Sequence, residues 1–286
     1  MISSAKAAIS VTSSTDFWNI IAYANPAAAD PALDHQTGGV EGDIVGNATN
    51  ASLYTQFDNG GTAGNPVDDE IAFRVRLAGD ASPAGLKTVV WIGIDANSDG
   101  KIDLFAGALE DSKLGFYPAG TGANISPSTT SIDAGSPYYE VAVSTLNFNF
   151  SPVTATNSPG TTNFNLDNGS GGGANHTDHF VSWKLPFSAL EAAVNGLNLP
   201  GVGTSFSDAS GVRYIAATSN QANSLNQDLN GIVGGINSTS TWEQLGGMTP
   251  SYTSTGNLVP EPSIPTLTCL VGLLVSLRRR RPHSRD

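Results

Sequence analysis

Residues 87–106 read Lys87-Thr88-Val89-Val90-Trp91-Ile92-Gly93-Ile94, then Asp95-Ala96-Asn97-Ser98-Asp99-Gly100, then Lys101-Ile102-Asp103-Leu104-Phe105-Ala106. The first run is β-branched and aromatic throughout, which suits a central strand. The last alternates apolar and polar residues, as a half-buried strand does. Residues that favour tight turns lie between them. The same alternation recurs at Ile71–Leu77, Tyr138–Val143, Phe180–Leu185 and Val212–Ala217, with Asn, Ser, Thr, Gly and Pro filling the gaps. One short helix is predicted after Pro186-Phe187-Ser188, running over Ala189–Val194 and stopped by Gly196. The pattern predicts an all-β protein, an antiparallel β-sandwich of jelly-roll-like form. Long Gly/Asn-rich loops (chiefly 151–178), the one connector helix and a separate C-terminal hydrophobic helix complete it.

The chain has 286 residues, enough for one large domain or two small ones, and its 32 Gly and 16 Pro break long helices. Its net charge of -12 argues against a nucleic-acid partner, which needs Lys and Arg on the binding face. The charge is unevenly spread. The basic residues Arg278, Arg279, Arg280, Arg281 and Arg285 all lie in the last 28 positions, so the body is more acidic than the average. Cys269 also lies in that tail, which leaves the body without a disulfide or thiol chemistry. No Gly-x-Ser-x-Gly, Walker loop or His-Glu-x-x-His occurs.

The tail opens with Val259-Pro260-Glu261-Pro262-Ser263, continues as an apolar run from Ile264 to Leu277, and closes on Arg278–Arg281. A helix over that run spans ~21 Å, short of the ~30 Å hydrocarbon core. Four arginines directly after it fit a cytoplasmic stop. Motif, short helix, arginine cluster and terminal position together resemble the PEP-CTERM sorting signal of Gram-negative bacteria. The departures are Pro265, Thr266 and Thr268, which make this helix less apolar than is usual. The resemblance implies an exosortase that recognises Pro260, Glu261 and Pro262 and cleaves there. It also implies transient anchoring in the inner membrane, then a place at the cell surface or in an extracellular, biofilm-type matrix with exopolysaccharide. Residues 1–11 make a poor signal peptide, read as a missing upstream start rather than as a cytoplasmic protein with a chance tail. The expected division is 1–15 disordered or truncated, 16–243 sandwich, 244–258 linker holding the body off the membrane, and 259–286 sorting signal.

Asp95, Asn97, Asp99, Lys101 and Asp103 follow the pattern D-x-N-x-D-G-x-x-D. Calcium takes 6–8 oxygen ligands, and alternating Asp and Asn on a tight loop aim side-chain oxygens inward. Gly100 permits the turn that brings the Lys101 carbonyl to the ion, and Asp103 binds directly or through water. The loop resembles the first nine positions of an EF-hand or dockerin calcium loop. It departs at the twelfth, where Ala106 replaces the bidentate Glu. Flanking strands favour a calcium-binding β-hairpin loop, and a plain hairpin turn is the alternative.

Asn226-Gln227-Asp228-Leu229-Asn230-Gly231 echoes this pattern with half the carboxylates and reads as a solvated loop. His176-Thr177-Asp178-His179 reads as surface histidines beside a Gly-rich loop, and His35 beside Asp34 is weaker still as a metal site. Asp68-Asp69-Glu70 reads as a solvated charge run that can also supplement a calcium shell. Tyr54 and Trp242 are candidates to stack on sugar rings, whereas Trp91 and Trp183 sit in apolar strands and belong to the core. The segments Trp91–Leu104 and Phe180–Phe187 resemble, loosely, family-nine carbohydrate-binding modules and DOMON-type sandwiches. Three functions follow. One is a non-catalytic, calcium-stabilised surface or matrix protein that adheres to or binds polysaccharide. Another is a secreted polysaccharide hydrolase using loop carboxylates. The third is a purely structural spacer in a surface layer.

Overall fold

A computed structural model describes residues 8–22, 30–37, 39–61, 65, 67–80, 85–167, 177–232, 241 and 248–259. Pro260, Glu261, Pro262, the apolar run, Arg278–Arg281, His176 and Trp242 lie outside the described residues. In chain order the elements are β1 (Asn19–Ile20), β2 (Leu53–Asp58), β3 (Glu70–Leu77), β4 (Val89–Asp95), β5 (Leu104–Leu109), β6 (Lys113–Pro118), β7 (Tyr139–Ala142) and β8 (Phe148–Pro152). Then come β9 (His179–Pro186), α1 (Phe187–Leu197), β10 (Arg213–Ser219) and β11 (Asp228–Leu229). They form two sheets, ordered β1-β2-β3-β9-β8 and β11-β10-β4-β5-β6-β7, with every pairing antiparallel. The chain is thus mostly β, with one α-helix among the described residues. No helix among them is long and apolar enough to cross a membrane.

One core lies between the sheets. Phe73, Val75, Trp183 and Leu185 of the first sheet meet Ile92, Ile94, Leu104, Phe116 and Tyr214 of the second, and α1 adds Phe187, Leu190 and Val194. The central strands are buried on their outer faces too. Trp91, Phe105, Tyr117 and Ile215 are covered by Ala123, Ile132 and Leu225 from long connections and by Leu229 of β11. Tyr54, Ala72 and Phe180 are covered by Ile9, Trp18 and Val153. The alternating Ile71–Leu77 therefore is not a half-buried strand, because its polar positions, Arg74 and Arg76, are enclosed as well.

Hydrogen bonds make that enclosure tolerable. Arg74 donates from Nε to Ser182 Oγ (2.8 Å) and from Nη2 to the carbonyls of Val11 (3.0 Å) and Ser13 (2.9 Å). Its guanidinium lies 4.2 Å from the Trp18 ring centroid. The segment around Val11, expected to be disordered, is thereby packed on the first sheet.

The helix starts at once after β9, and Gly196 lies inside it rather than ending it. Asn198 stops the helix by adopting the left-handed conformation (φ 50°), which Asn tolerates. Residues 248–258, read as part of the 244–258 linker, instead return to the sandwich. Tyr252 bridges Val212 and Leu258, its N–H and carbonyl both bond Val212 (2.8 Å each), and its hydroxyl reaches Ala22.

Trp91 lies across from Gly107 in the β4–β5 pair, and a Cβ on Gly107 would overlap its ring. Gly107→Ala should therefore destabilise the fold by about 1–3 kcal/mol through overpacking. Urea unfolding monitored by Trp fluorescence measures this, and an unchanged midpoint would contradict the packing.

Candidate functional site

The loop Asp95–Asp103 joins β4 to β5, as the hairpin reading expects, although β5 begins at Leu104 rather than Lys101. Ile102 has left the ladder. Its N–H and carbonyl are taken by the Asn124 side chain, at 2.7 and 3.0 Å. The Asp103 N–H still reaches the Ile94 carbonyl (2.8 Å), which closes the loop base.

Within the loop the acidic oxygens face the loop's own N–H groups. Asp95, fully buried, accepts from Asp99 N (3.2 Å) and Gly100 N (2.9 Å). Asn97 Oδ1 accepts from Asp99 N (3.2 Å), Asp99 Oδ1 from Lys101 N (3.0 Å), and Asp103 Oδ2 from Ala96 N (2.8 Å). Ser98 and Gly100 take positive φ (59° and 84°), which lets the chain wrap around Asp95. The carboxylate oxygens of Asp95, Asp99 and Asp103 are not gathered within 4.8 Å of one another, and the side chains instead engage the turn's own N–H groups, as the plain-turn alternative expects.

Charge converges here. Burial, then the charges of Asp95 and Asp99, push the Asp103 carboxyl up to about 6. Burial also raises Asp95, opposed by the Gly100 N–H and by Arg213, whose Nη1 is 4.0 Å away. Lys101 is exposed, and its side chain is no ligand. Ala106, at the twelfth position, is sealed in the core between the sheets and cannot be replaced in its role from that strand. A raised carboxyl pKa means that protons compete with a cation. Calcium affinity at this loop should therefore fall as pH drops through about 6, which titration calorimetry at two pH values can measure.

A shallow cavity of about 340 Å³ borders the loop, lined by Asn97, Ser98, Ser205, Ser210, Ser251 and Val259, among others. Val259 sits there because its N–H bonds the Ser251 carbonyl (2.8 Å). The first residue of the Val-Pro-Glu-Pro motif is thus docked on the body, next to the acidic loop.

The other sequence candidates separate. Asp178 is not on the surface but fully buried, paired with Arg76 at 2.6 Å. His179 stacks on Phe150 (4.9 Å between centroids), and burial lowers its pKa. Glu70 pairs with Lys184 (2.9 Å) rather than serving a metal shell. Trp91, Trp183 and Tyr54 are buried, so Tyr54 offers no platform for a sugar ring.

The segment Asn226–Gly231 differs most from its reading. Gln227, Asp228 and Asn230 are buried, not solvated. Asp228 lies in β11 and belongs with Asp30 and Asp34 to a group of carboxylates that sequence reasoning missed. Asp228 is remote from the other two along the chain, so the traces left in the sequence were the half-motif around Asp228 and Asp34 beside His35.

Compared with family models, curated proteins and solved structures, the chain matches none.

Proposed function

We propose that this chain is an exported cell-surface or extracellular-matrix protein, processed by an exosortase at Val259-Pro260-Glu261-Pro262. Its body acts as a non-catalytic, calcium-stabilised, jelly-roll-like sandwich that adheres to or binds polysaccharide. The observation that carries this reading is Val259, the first residue of the motif, whose N–H is held by the Ser251 carbonyl of the body (2.8 Å). The serine-lined cavity beside it supports a hydroxyl-rich ligand such as a glycan. The full chain, expressed in hosts with and without an exosortase, tests the reading by intact mass. With the enzyme the surface-exposed product should lack Arg278–Arg281; a product that retains them overturns it.

A polysaccharide hydrolase remains the second reading because of one observation. Burial, then neighbouring acidic charges, raises the carboxyl pKa of Asp69 and of Glu191, and both feel Asp208. A raised carboxyl is what a general acid needs. Reducing-sugar release that disappears in Glu191→Gln would favour this reading over the first.

A further inference from the structure

We infer that Asp30, Asp34 and Asp228 form a second calcium site, separate from the Asp95–Asp103 loop, that staples the two sheets together. Asp30 and Asp34 are close neighbours in sequence and Asp228 is remote from both, yet one ligand oxygen of each lies within 4.8 Å of the others. A calcium shell has oxygens at ~2.3–2.6 Å, so its diameter of ~5 Å encloses that spread. The donors are all carboxylate, the set that hard cations prefer.

Backbone groups hold these acids in place. Asp228 Oδ2 accepts from Ile44 N (2.7 Å) and Oδ1 from Leu229 N (2.8 Å). Asp30 Oδ1 accepts from Gly231 N (2.5 Å), and the Asp30 carbonyl accepts from Gly46 N (3.1 Å). The other Asp30 oxygen, Oδ2, is the independent pointer to a ligand. It is buried in a residue only 1% exposed and has no hydrogen-bond partner. Asn230, also fully buried, holds Ser52 through its Oδ1 (2.8 Å) while its Nδ2 is unpartnered.

Nothing basic neutralises the pair. Among the described residues neither Asp30 nor Asp228 has an ion-pair partner in Lys, Arg or His. The cationic candidate nearby, His35, is engaged by Asp43 through Nδ1 (3.0 Å), and Asp43 and Glu41 add further negative charge. Buried ionised carboxylates need a counter-charge or a proton. One proton joins two oxygens, whereas one divalent ion draws in all three. Burial raises both Asp30 and Asp228 well above the usual carboxylate range, aided at Asp30 by the charges of Asp228 and Asp34 and at Asp228 by those of Asp34 and Asp43.

Position makes the site a staple. Asp228 belongs to β11 at the edge of the second sheet, while Ile44, which it binds, bridges Leu77 of the first. An ion there would tie the 30–46 segment to both sheets and couple folding to metal.

The full chain, stripped with EDTA, is titrated with calcium chloride by calorimetry as wild type, Asp228→Asn, Asp30→Asn and Asp99→Asn. Asp228→Asn and Asp30→Asn should each lose one bound calcium or weaken one site at least tenfold, while Asp99→Asn keeps that site. Hydrogen exchange on the wild type serves even if a variant misfolds: calcium should slow exchange at Ile44 and Leu229, whose N–H groups bond Asp228. Unchanged stoichiometry and affinity in Asp228→Asn and Asp30→Asn, or unchanged exchange at those amides, overturns the site.

Discussion

Asp178→Ala should cost the fold about 3–5 kcal/mol, because it leaves the Arg76 guanidinium charged and buried without its partner. Two contacts hold the pair, Arg76 Nε to Asp178 Oδ2 at 2.7 Å and Nη2 to the same oxygen at 2.6 Å. Asp178 also accepts from Leu166 N (3.1 Å), and Arg76 donates to the Asn163 carbonyl (3.0 Å). The loss therefore detaches the connection between β8 and β9 from the outer face of the first sheet. At roughly 2–4 °C per kcal/mol for a domain of this size, Tm should fall by about 6–20 °C. The double variant Arg76→Met/Asp178→Leu should recover much of the loss, since an apolar pair of similar volume removes the desolvation problem. A single variant that melts with the wild type would show that the pair contributes nothing.

Trp183→Ala should be of similar size, about 3–5 kcal/mol, for a different reason. Trp183 is fully buried at the centre of the inter-sheet core, with its ring 5.6 Å from Phe73 between centroids. It stands opposite Phe73 on β3 and Phe148 on β8, so its removal opens a cavity against both neighbouring strands. β-sheet backbones on either side restrict collapse into that space. Denaturant unfolding of the variant checks this, and a loss under about 1 kcal/mol would mean that the core had closed over the gap.

Much of the fold is legible in the chain because the inner strands are built of residues that have few other uses. Val89–Ile94 and Phe180–Leu185 are apolar enough to read directly, and both lie in interior strands paired on either side. The strands that escaped reading are different. β6 contains Gly115, where a Cβ would strike the Tyr139 carbonyl of β7, so close strand approach requires a residue that looks like a turn signal. β8, Phe148–Pro152, is an edge strand whose terminal proline and short length mimic a loop. The outer layers are harder still. Arg74 and Arg76 alternate with apolar residues as solvent-facing positions do, and only the coil that folds over them shows otherwise.

The acidic loop was legible because its Asp/Asn pattern is contiguous. Asp95, Asn97, Asp99 and Asp103 stand at fixed spacing, and the chain wraps them together. The Asp30, Asp34 and Asp228 group was not, because only tertiary structure brings Asp228 to the neighbouring pair Asp30 and Asp34. Asp228 looked solvated since Asn, Gln and Gly surround it, yet those neighbours serve here to bond other segments of the chain. Gln227 Oε1, for example, accepts from Thr37 N (3.0 Å).

Buried acids also set the pH behaviour. Asp103, Asp30 and Asp228 have folded-state pKa values above the unfolded value of roughly 3.9, so the native chain holds these protons more tightly than the unfolded one. Without metal their contribution to stability is fully present at low pH and is lost as pH rises through the folded values, about 6 for Asp103. A bound cation replaces the protons, so the loss should vanish when calcium is supplied.

Thermal unfolding of the EDTA-treated full chain at about pH 5 and about pH 7.5, with and without millimolar calcium, tests the cation-held sandwich most directly. Calcium should raise Tm more at the higher pH, and it should cancel the fall that these acids produce between the two pH values in EDTA. Identical melting curves with and without calcium at both pH values would contradict it.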